Sequence, residues 1–164
     1  MDNLLDKIKN GRFGFKIDEV MSGEHEFEPG MGSGGKHKFE FRVTWGPQEV
    51  SKWLNPQSPD FLTQPLQGTV TVGGLCYETP CQGTLQLDYF GERKIRYIFD
   101  FEVEGTEYQY IGEKVNIWPW NLPFSHTTCF GTVVEKDSRR LVSRSVTYFK
   151  LHTTPQFVSS FRLT

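Results

Sequence analysis

Long apolar runs are missing from this chain: none approaches the roughly 20 residues that a membrane-spanning helix requires. An excess of one charge is missing too, since 20 acidic residues stand against 18 basic ones for a formal net of -2. That balance excludes a general electrostatic grip on nucleic acid, which needs a basic face. Basic residues gather only locally, at Arg93, Lys94 and Arg96 and again at Arg139, Arg140 and Arg144, and read as solvated faces. The first nine residues are too charged and too briefly apolar for a signal peptide, so a cytoplasmic location is expected. Cysteine is scarce, and three residues of it suit a reducing compartment better than a disulfide framework. Cys76 and Cys81 are nonetheless near enough in sequence to meet across a hairpin. The four histidines, His25, His37, His126 and His152, show no pairing at metal-ligand spacing. No metal and no cofactor is expected.

What the chain does have is aromatic rings, at 15% of residues with 14 phenylalanines, and a beat of two. Phe13, Phe15 and Ile17 alternate with Gly14, Lys16 and Asp18, the mark of a strand with one buried face. That strand continues through Val20 toward His25 and Phe27. Phe39, Phe41, Val43 and Trp45 repeat the pattern, as do Val70 and Val72, then Leu85, Leu87 and Tyr89, then Ile95 to Val103. Glu104-Gly105 is a hairpin turn into Tyr108 and Tyr110. Further strands are read at His126 to Glu135, Leu141 to Leu151 and Phe157 to Leu163. Val115 and Ile117 sit on odd numbers while Tyr108 and Tyr110 sit on even ones, so a register-resetting bulge is expected at Gly112.

Between the strands, residues 1–10 read as one short helical or flexible turn ended by Asn10-Gly11. Residues 28–36 form a mobile Gly-rich loop. Gln48 to Leu54 is a short helix, and Asn55 to Pro65 a proline-rich crossing. The count comes to about eight to ten antiparallel strands with one or two short helices. Almost nothing helical is available to cover a sheet face, so the chain closes into a β-barrel or folds as a sandwich. Large rings favour the barrel, whose interior gives them room. The whole of residues 1–164 is read as one all-β domain.

No complete catalytic constellation is legible, and no catalytic residue is assigned. His126 and Cys129 are three apart, which sends them to opposite faces of a strand. Asp100 and Glu102 fall on the polar face opposite Phe99 and Phe101. Glu113-Lys114 reads as a structural ion pair. The most informative segment is Ile117 to Cys129, where Trp118 and Trp120 flank Pro119 ahead of His126. Stiff rings beside an imidazole suit either a ligand-orienting barrel mouth or a plug closing the barrel end.

Several phrases occur together: Phe-Glu-Phe-Arg-Val-Thr-Trp-Gly at 39–46, Leu-Gln-Gly-Thr-Val-Thr-Val-Gly-Gly at 66–74 and Cys-Gln-Gly-Thr-Leu-Gln-Leu at 81–87. With Gly-Glu-Lys at 112–114 and Ser-His-Thr-Thr-Cys-Phe-Gly at 125–131, the chain resembles a bacterial β domain. That domain accompanies, or is fused to, cholesterol-oxidase-like flavoproteins of the glucose–methanol–choline oxidoreductase family. The likeness is to the companion domain, because Gly30, Gly32, Gly34 and Gly35 do not supply the Gly-x-Gly-x-x-Gly of a flavin-binding half. It implies a lipocalin-like (calycin-type) barrel, a link to lipid or sterol metabolism, and a flavoprotein oxidoreductase as partner. The expectation is a noncatalytic domain binding a small apolar ligand or a partner protein. Tyr97, Phe99, Phe101, Tyr108 and Tyr110 would form the wall, and Trp118, Trp120 and His126 the entrance. The alternatives are a barrel-type isomerase or hydrolase on a lipid-like substrate, and a protein-interaction module.

Overall fold

The computed structural model describes residues 4–88, 90–115, 128–149 and 161–164. Two short helices, α1 (Leu4–Lys9) and α2 (Val50–Trp53), accompany nine strands. The strands are β1 (Phe15–Phe27), β2 (Lys36–Trp45), β3 (Thr63–Val72), β4 (Cys76–Asp88), β5 (Lys94–Val103), β6 (Thr106–Lys114), β7 (Thr128–Glu135), β8 (Leu141–Phe149) and β9 (Arg162–Leu163). From β1 to β8 each strand pairs antiparallel with the next, and β1 pairs with β8 as well as β2. That last ladder, from Met21 opposite Phe149 to Phe27 opposite Ser143, closes an eight-stranded barrel. The short β9 adds to the start of β1. The architecture is consistent with a lipocalin-like barrel, and the sandwich alternative is set aside.

Closure follows from the alternation. In β5, Ile95, Tyr97, Phe99 and Phe101 are buried while Asp100 and Glu102 face outward, so every turn of the pleat drives one face toward a shared centre. Met21, Phe39, Phe41, Val43, Leu66, Val70 and Leu85 meet these residues from the other strands. The barrel ends differ. Short turns at 28–35, 73–75, 104–105 and 136–140 join strands at one end, and the longer connection 46–62, which carries α2, lies at the other.

Some local expectations hold closely. Asn10-Gly11 ends α1 with Gly11 at φ 65, and Arg12 N–H reaches back to the Lys7 carbonyl at 2.8 Å, a Schellman closure. Glu104 and Gly105 both have positive φ, 50 and 82, as a tight two-residue hairpin demands.

Others are corrected. No bulge falls at Gly112: β6 runs in unbroken register with β5 and β7 through Lys114. The parity was misleading because a charged residue, Lys114, takes the inward position while the apolar Val115 is exposed. The irregularities lie between Val70 and Val72 and between Val133 and Val134. Pro65 belongs to β3, where β2 has already ended opposite Leu66. It lies opposite Thr84 of β4, while its carbonyl accepts from Gly46 N–H at 3.4 Å just beyond the end of β2. Its nitrogen faces that same side, where the ladder stops, so the missing N–H is tolerated. β4 begins at Cys76, nine residues before the Leu85 that marked it in the sequence, because Cys76 to Gln82 has no hydrophobic alternation. The Gly-rich loop is tied down at several points. Glu28 N–H donates to the Val142 carbonyl, and Met31 N–H donates to the Glu28 carbonyl while its side chain packs against the core. His37 Nε2 bonds the Ser33 carbonyl at 3.0 Å.

Candidate functional site

The expected wall residues do face the centre. Tyr97, Phe99, Phe101 and Tyr110 are buried, and the half-buried Tyr108 stacks on Phe101 at 5.5 Å. They do not enclose an open chamber. Phe99 and Tyr110 lie 4.8 Å apart between ring centroids, Phe39 and Tyr110 5.1 Å, and Phe41 and Tyr97 5.2 Å. These are contact distances for tilted aromatic pairs. The rings fill the space they were expected to line. The expected entrance, Trp118, Trp120 and His126, lies outside the described residues.

A polar nest that the sequence did not reveal sits among these rings. Lys114 Nζ donates to Glu19 Oε1 at 2.8 Å, and both residues are only 5% exposed. Glu19 also accepts from Trp45 Nε1 at 2.9 Å and from the Tyr97 hydroxyl at 2.9 and 3.0 Å. The ammonium lies 5.2 Å from the Tyr97 ring centre and 5.8 Å from that of Phe149, within cation–π range. Burial, and then the Glu19 charge, push the Tyr97 phenol well above its ordinary range, so it remains a donor to the carboxylate. The nest is thus a buried ion pair whose carboxylate is saturated by three donors and whose ammonium is shared between that carboxylate and two ring faces.

The Glu113-Lys114 pairing is therefore corrected. The two point to opposite faces, Lys114 to Glu19 inside and Glu113 to Arg96 at 3.0 Å and Lys94 at 3.4 Å outside. Asp100 is likewise on the outer face, 2.7 Å from Lys136.

The thiols are poor nucleophile candidates. Burial raises Cys81 to about 12 and raises Cys129, whose sulfur lies 3.4 Å from the Tyr110 hydroxyl. Cys76, Cys81 and Cys129 are all free. Among the described residues no three or more His, Cys, Asp or Glu side chains gather as a metal site requires.

A second polar feature runs up the inner face of β8. Ser143, Ser145 and Thr147 are buried, and the Ser145 and Thr147 hydroxyls act on the Tyr110 phenol, each favouring its ionised form against the burial that raises its pKa. Beside them on β1 is His25, opposite Ser145 and 1% exposed. Its Nε2 donates to the Gly73 carbonyl at 2.8 Å, while Nδ1 has no partner. Burial holds this imidazole below its ordinary value of 6.5, and the nearby His37 adds to that. An unpaired buried polar group costs about 1–3 kcal/mol, and His25 Nδ1 and the Ser143 hydroxyl are two such groups. Alternation alone flags these positions only weakly, because Ser and Thr fit either face of a strand.

The concavities lie elsewhere. One, of about 1370 Å³, runs along the outer face of β6, β7, β8 and β1. Its apolar floor includes Ile111, Phe130, Val146 and Tyr148, with Phe130 55% and Tyr148 53% exposed. Glu113, Phe130, Val146 and Glu24 form one cross-strand row. Four carboxylates, Glu24, Glu26, Glu28 and Glu113, border it against two cations, Lys36 and Arg144. A hollow of about 360 Å³ near α2 is lined by Phe61, Leu62 and Phe90 together with Lys94 and Arg96. A third, of about 470 Å³, lies beside Trp45, Pro47 and Thr164.

No helix among the described residues is long and apolar enough to cross a membrane. Comparison of the chain with family models, curated proteins and solved structures returned no match.

Proposed function

We propose that this chain is a noncatalytic, lipocalin-like binding domain whose partner docks on the outside of the barrel, across β6, β7, β8 and β1. The observation that carries this reading is the contrast between a centre filled by mutually touching rings and an outer groove that leaves Phe130 and Tyr148 more than half exposed. At about 1370 Å³ the groove is larger than the roughly 300–1,000 Å³ of small-molecule sites. Its exposed rings are of the kind that anchor protein interfaces, so a protein surface suits it best. Three of its four rim carboxylates are already paired within the chain, Glu24 with Lys36, Glu28 with Arg144 and Glu113 with Arg96, so the exposed rings and not the rim charge would carry the docking. The resemblance names the partner class, a cholesterol-oxidase-like flavoprotein, with the domain as its accessory in the cytoplasm. Free thiols throughout are compatible with that compartment.

The test is co-elution and calorimetry of the purified chain with such a flavoprotein from the same organism. Wild type should bind, and Phe130→Asp with Tyr148→Ser should lose at least tenfold in affinity while keeping the melting temperature. Undiminished binding by that variant would remove the groove from the interface. Concentration-dependent light scattering from the pure chain alone would make the occupant a second copy instead.

A small apolar ligand is the second reading, favoured by the hollow of about 360 Å³ lined by Phe61, Leu62 and Phe90, which is within the small-ligand range. Tryptophan fluorescence during titration with fatty acids and sterols tests it. A saturable change lost in Phe61→Ala supports the site, and a flat response in wild type removes it.

A further inference from the structure

Among the described residues Phe90 is the large apolar side chain left most open to solvent, at 84% exposed. It does not stand on a loose tether. The Gly91 and Glu92 N–H groups donate to the two Asp88 carboxylate oxygens at 2.8 and 3.1 Å, which locks the turn that carries the ring. Opposite it, Phe61 is half-buried against the core, and its N–H reaches the Ser58 carbonyl at 3.1 Å. The next residue, Leu62, is held at φ 49, a costly conformation for a bulky side chain. Two bonds keep it there, from its N–H to the Trp53 carbonyl at 2.9 Å and from Leu87 N–H to its own carbonyl at 2.8 Å. Both rings are thus presented by fixed backbone.

The two rings are nearly parallel, with 13° between their planes and 6.3 Å between their centroids, and both line the hollow of about 360 Å³. They are not a closed stack, since Phe90 lying flat on Phe61 would bury one face and could not stay 84% exposed. A flat ring inserted between them makes contacts of about 3.5 Å on each side and needs walls about 7 Å apart. That is slightly more than the separation observed, and Phe90, open to solvent on its outer side, can take up the difference. Leu62 and Leu87, each 8% exposed, add apolar lining, and Gln86 brings an amide to it. Lys94 and Arg96 also border the hollow, but both cations are matched within the chain. Lys94 pairs with Glu92 at 2.8 Å and Glu113 at 3.4 Å, and Arg96 with Glu113 at 3.0 Å.

We propose that Phe61 and Phe90 are the two walls of a slot for a flat, neutral, fused-ring aromatic molecule, with the Gln86 amide available to a polar atom on its edge. The inference rests on the reading of this hollow as a small-ligand site and narrows the ligand class. Parallel walls select a planar guest, because puckered rings and flexible chains present no flat face to either phenylalanine. The wall separation selects a guest one ring thick. The paired cations select a neutral one, since an anion would have to displace carboxylates already seated on Lys94 and Arg96.

The test is titration of the full chain with phenanthrene, read by the anisotropy of its own fluorescence, with fully hydrogenated perhydrophenanthrene as competitor. Wild type should bind phenanthrene saturably. Phe90→Ala and Phe90→Leu should each weaken that binding about tenfold, since both remove the flat wall and Leu restores only apolar bulk. Neither substitution should move the melting temperature, because the side chain is 84% exposed. Perhydrophenanthrene should compete at least about tenfold more weakly than phenanthrene itself. Binding that survives Phe90→Ala or Phe90→Leu, or equal competition by the puckered compound, overturns the slot. Saturable binding of a fatty acid or sterol that is lost in Phe61→Ala, without any binding of phenanthrene, overturns the slot and leaves the apolar site standing. No response to any of these probes removes both.

Discussion

Lys114 and Glu19 are 95 positions apart in the chain and 2.8 Å apart in the barrel. Among the described residues theirs is the ion pair with both side chains buried, and its value is better measured than counted. Removing one partner, as in Glu19→Gln or Lys114→Met, leaves a charge buried alone and is expected to cost about 3–5 kcal/mol in urea unfolding. Glu19→Leu combined with Lys114→Met should recover much of that loss, since a packed apolar pair does without the desolvation. A double variant as unstable as either single one would show that Trp45 and Tyr97 depend on the carboxylate in their own right. His25 acts on stability through pH. Its pKa is lowered on folding by burial and by His37, against the Gly73 hydrogen bond, so the unfolded chain takes the proton first. Stability is therefore full above the ordinary value of 6.5 and is lost as pH falls below it, levelling off beneath the folded-state pKa. The urea midpoint should be lower at pH 5.5 than at pH 7.5, and His25→Gln should flatten that part of the profile.

At the scale of the element, β6 and β7 show how a strand pair accommodates an oversized ring. Gly112 and Gly131 are directly opposite, and a Cβ on either would come within 2.3 Å of the Tyr110 side chain. Tyr110 therefore lies down over the two glycines instead of crossing the barrel, which leaves space for Phe39 and Phe99 against its other face. Gly131→Ala forces that ring to move and is expected to cost about 1–3 kcal/mol. Adding Tyr110→Leu should give part of it back, as read by thermal unfolding. These strands also mark where the sequence was hard to read. The alternation in β2 and β5 was legible because the inward run is bulky throughout, Phe39, Phe41, Val43 and Trp45 in one and Ile95, Tyr97, Phe99 and Phe101 in the other. In β6 the inward set is Tyr108, Tyr110, Gly112 and Lys114, so a glycine and a cation hid the face. In β8 the inward Ser143, Ser145 and Thr147 hid it for the same reason, and with it the polar line beside His25.

For the whole molecule, the closing ladder joins residues 21–27 to residues 143–149, nearly the length of the chain. Such contacts form late and slowly, and they abolish the edges that an open sheet would expose. A fragment ending at residue 115 keeps β1 to β6 but leaves β1 and β6 unpaired on their outer sides. It should lose cooperative unfolding and scatter light at micromolar concentration, whereas a monomeric fragment with a sharp transition would show that closure is dispensable. The same closure produces the outer groove, since β6, β7, β8 and β1 become neighbours only when the first strand meets the eighth.

Within the described residues, the amino-acid order alone determined what depends on near neighbours: which segments are strands, where Gly11 ends a helix, and that Glu104-Gly105 reverses the chain. Those outcomes follow from backbone sterics and from side chains two positions apart. Tertiary structure alone decided what depends on partners far along the chain. It placed Lys114 inside and Glu113 outside, filled the centre with rings, and moved the accessible concavity to the outer wall. A charge is stable in a barrel only where a distant residue is positioned to receive it, and Glu19 reaches that position only once the barrel has closed.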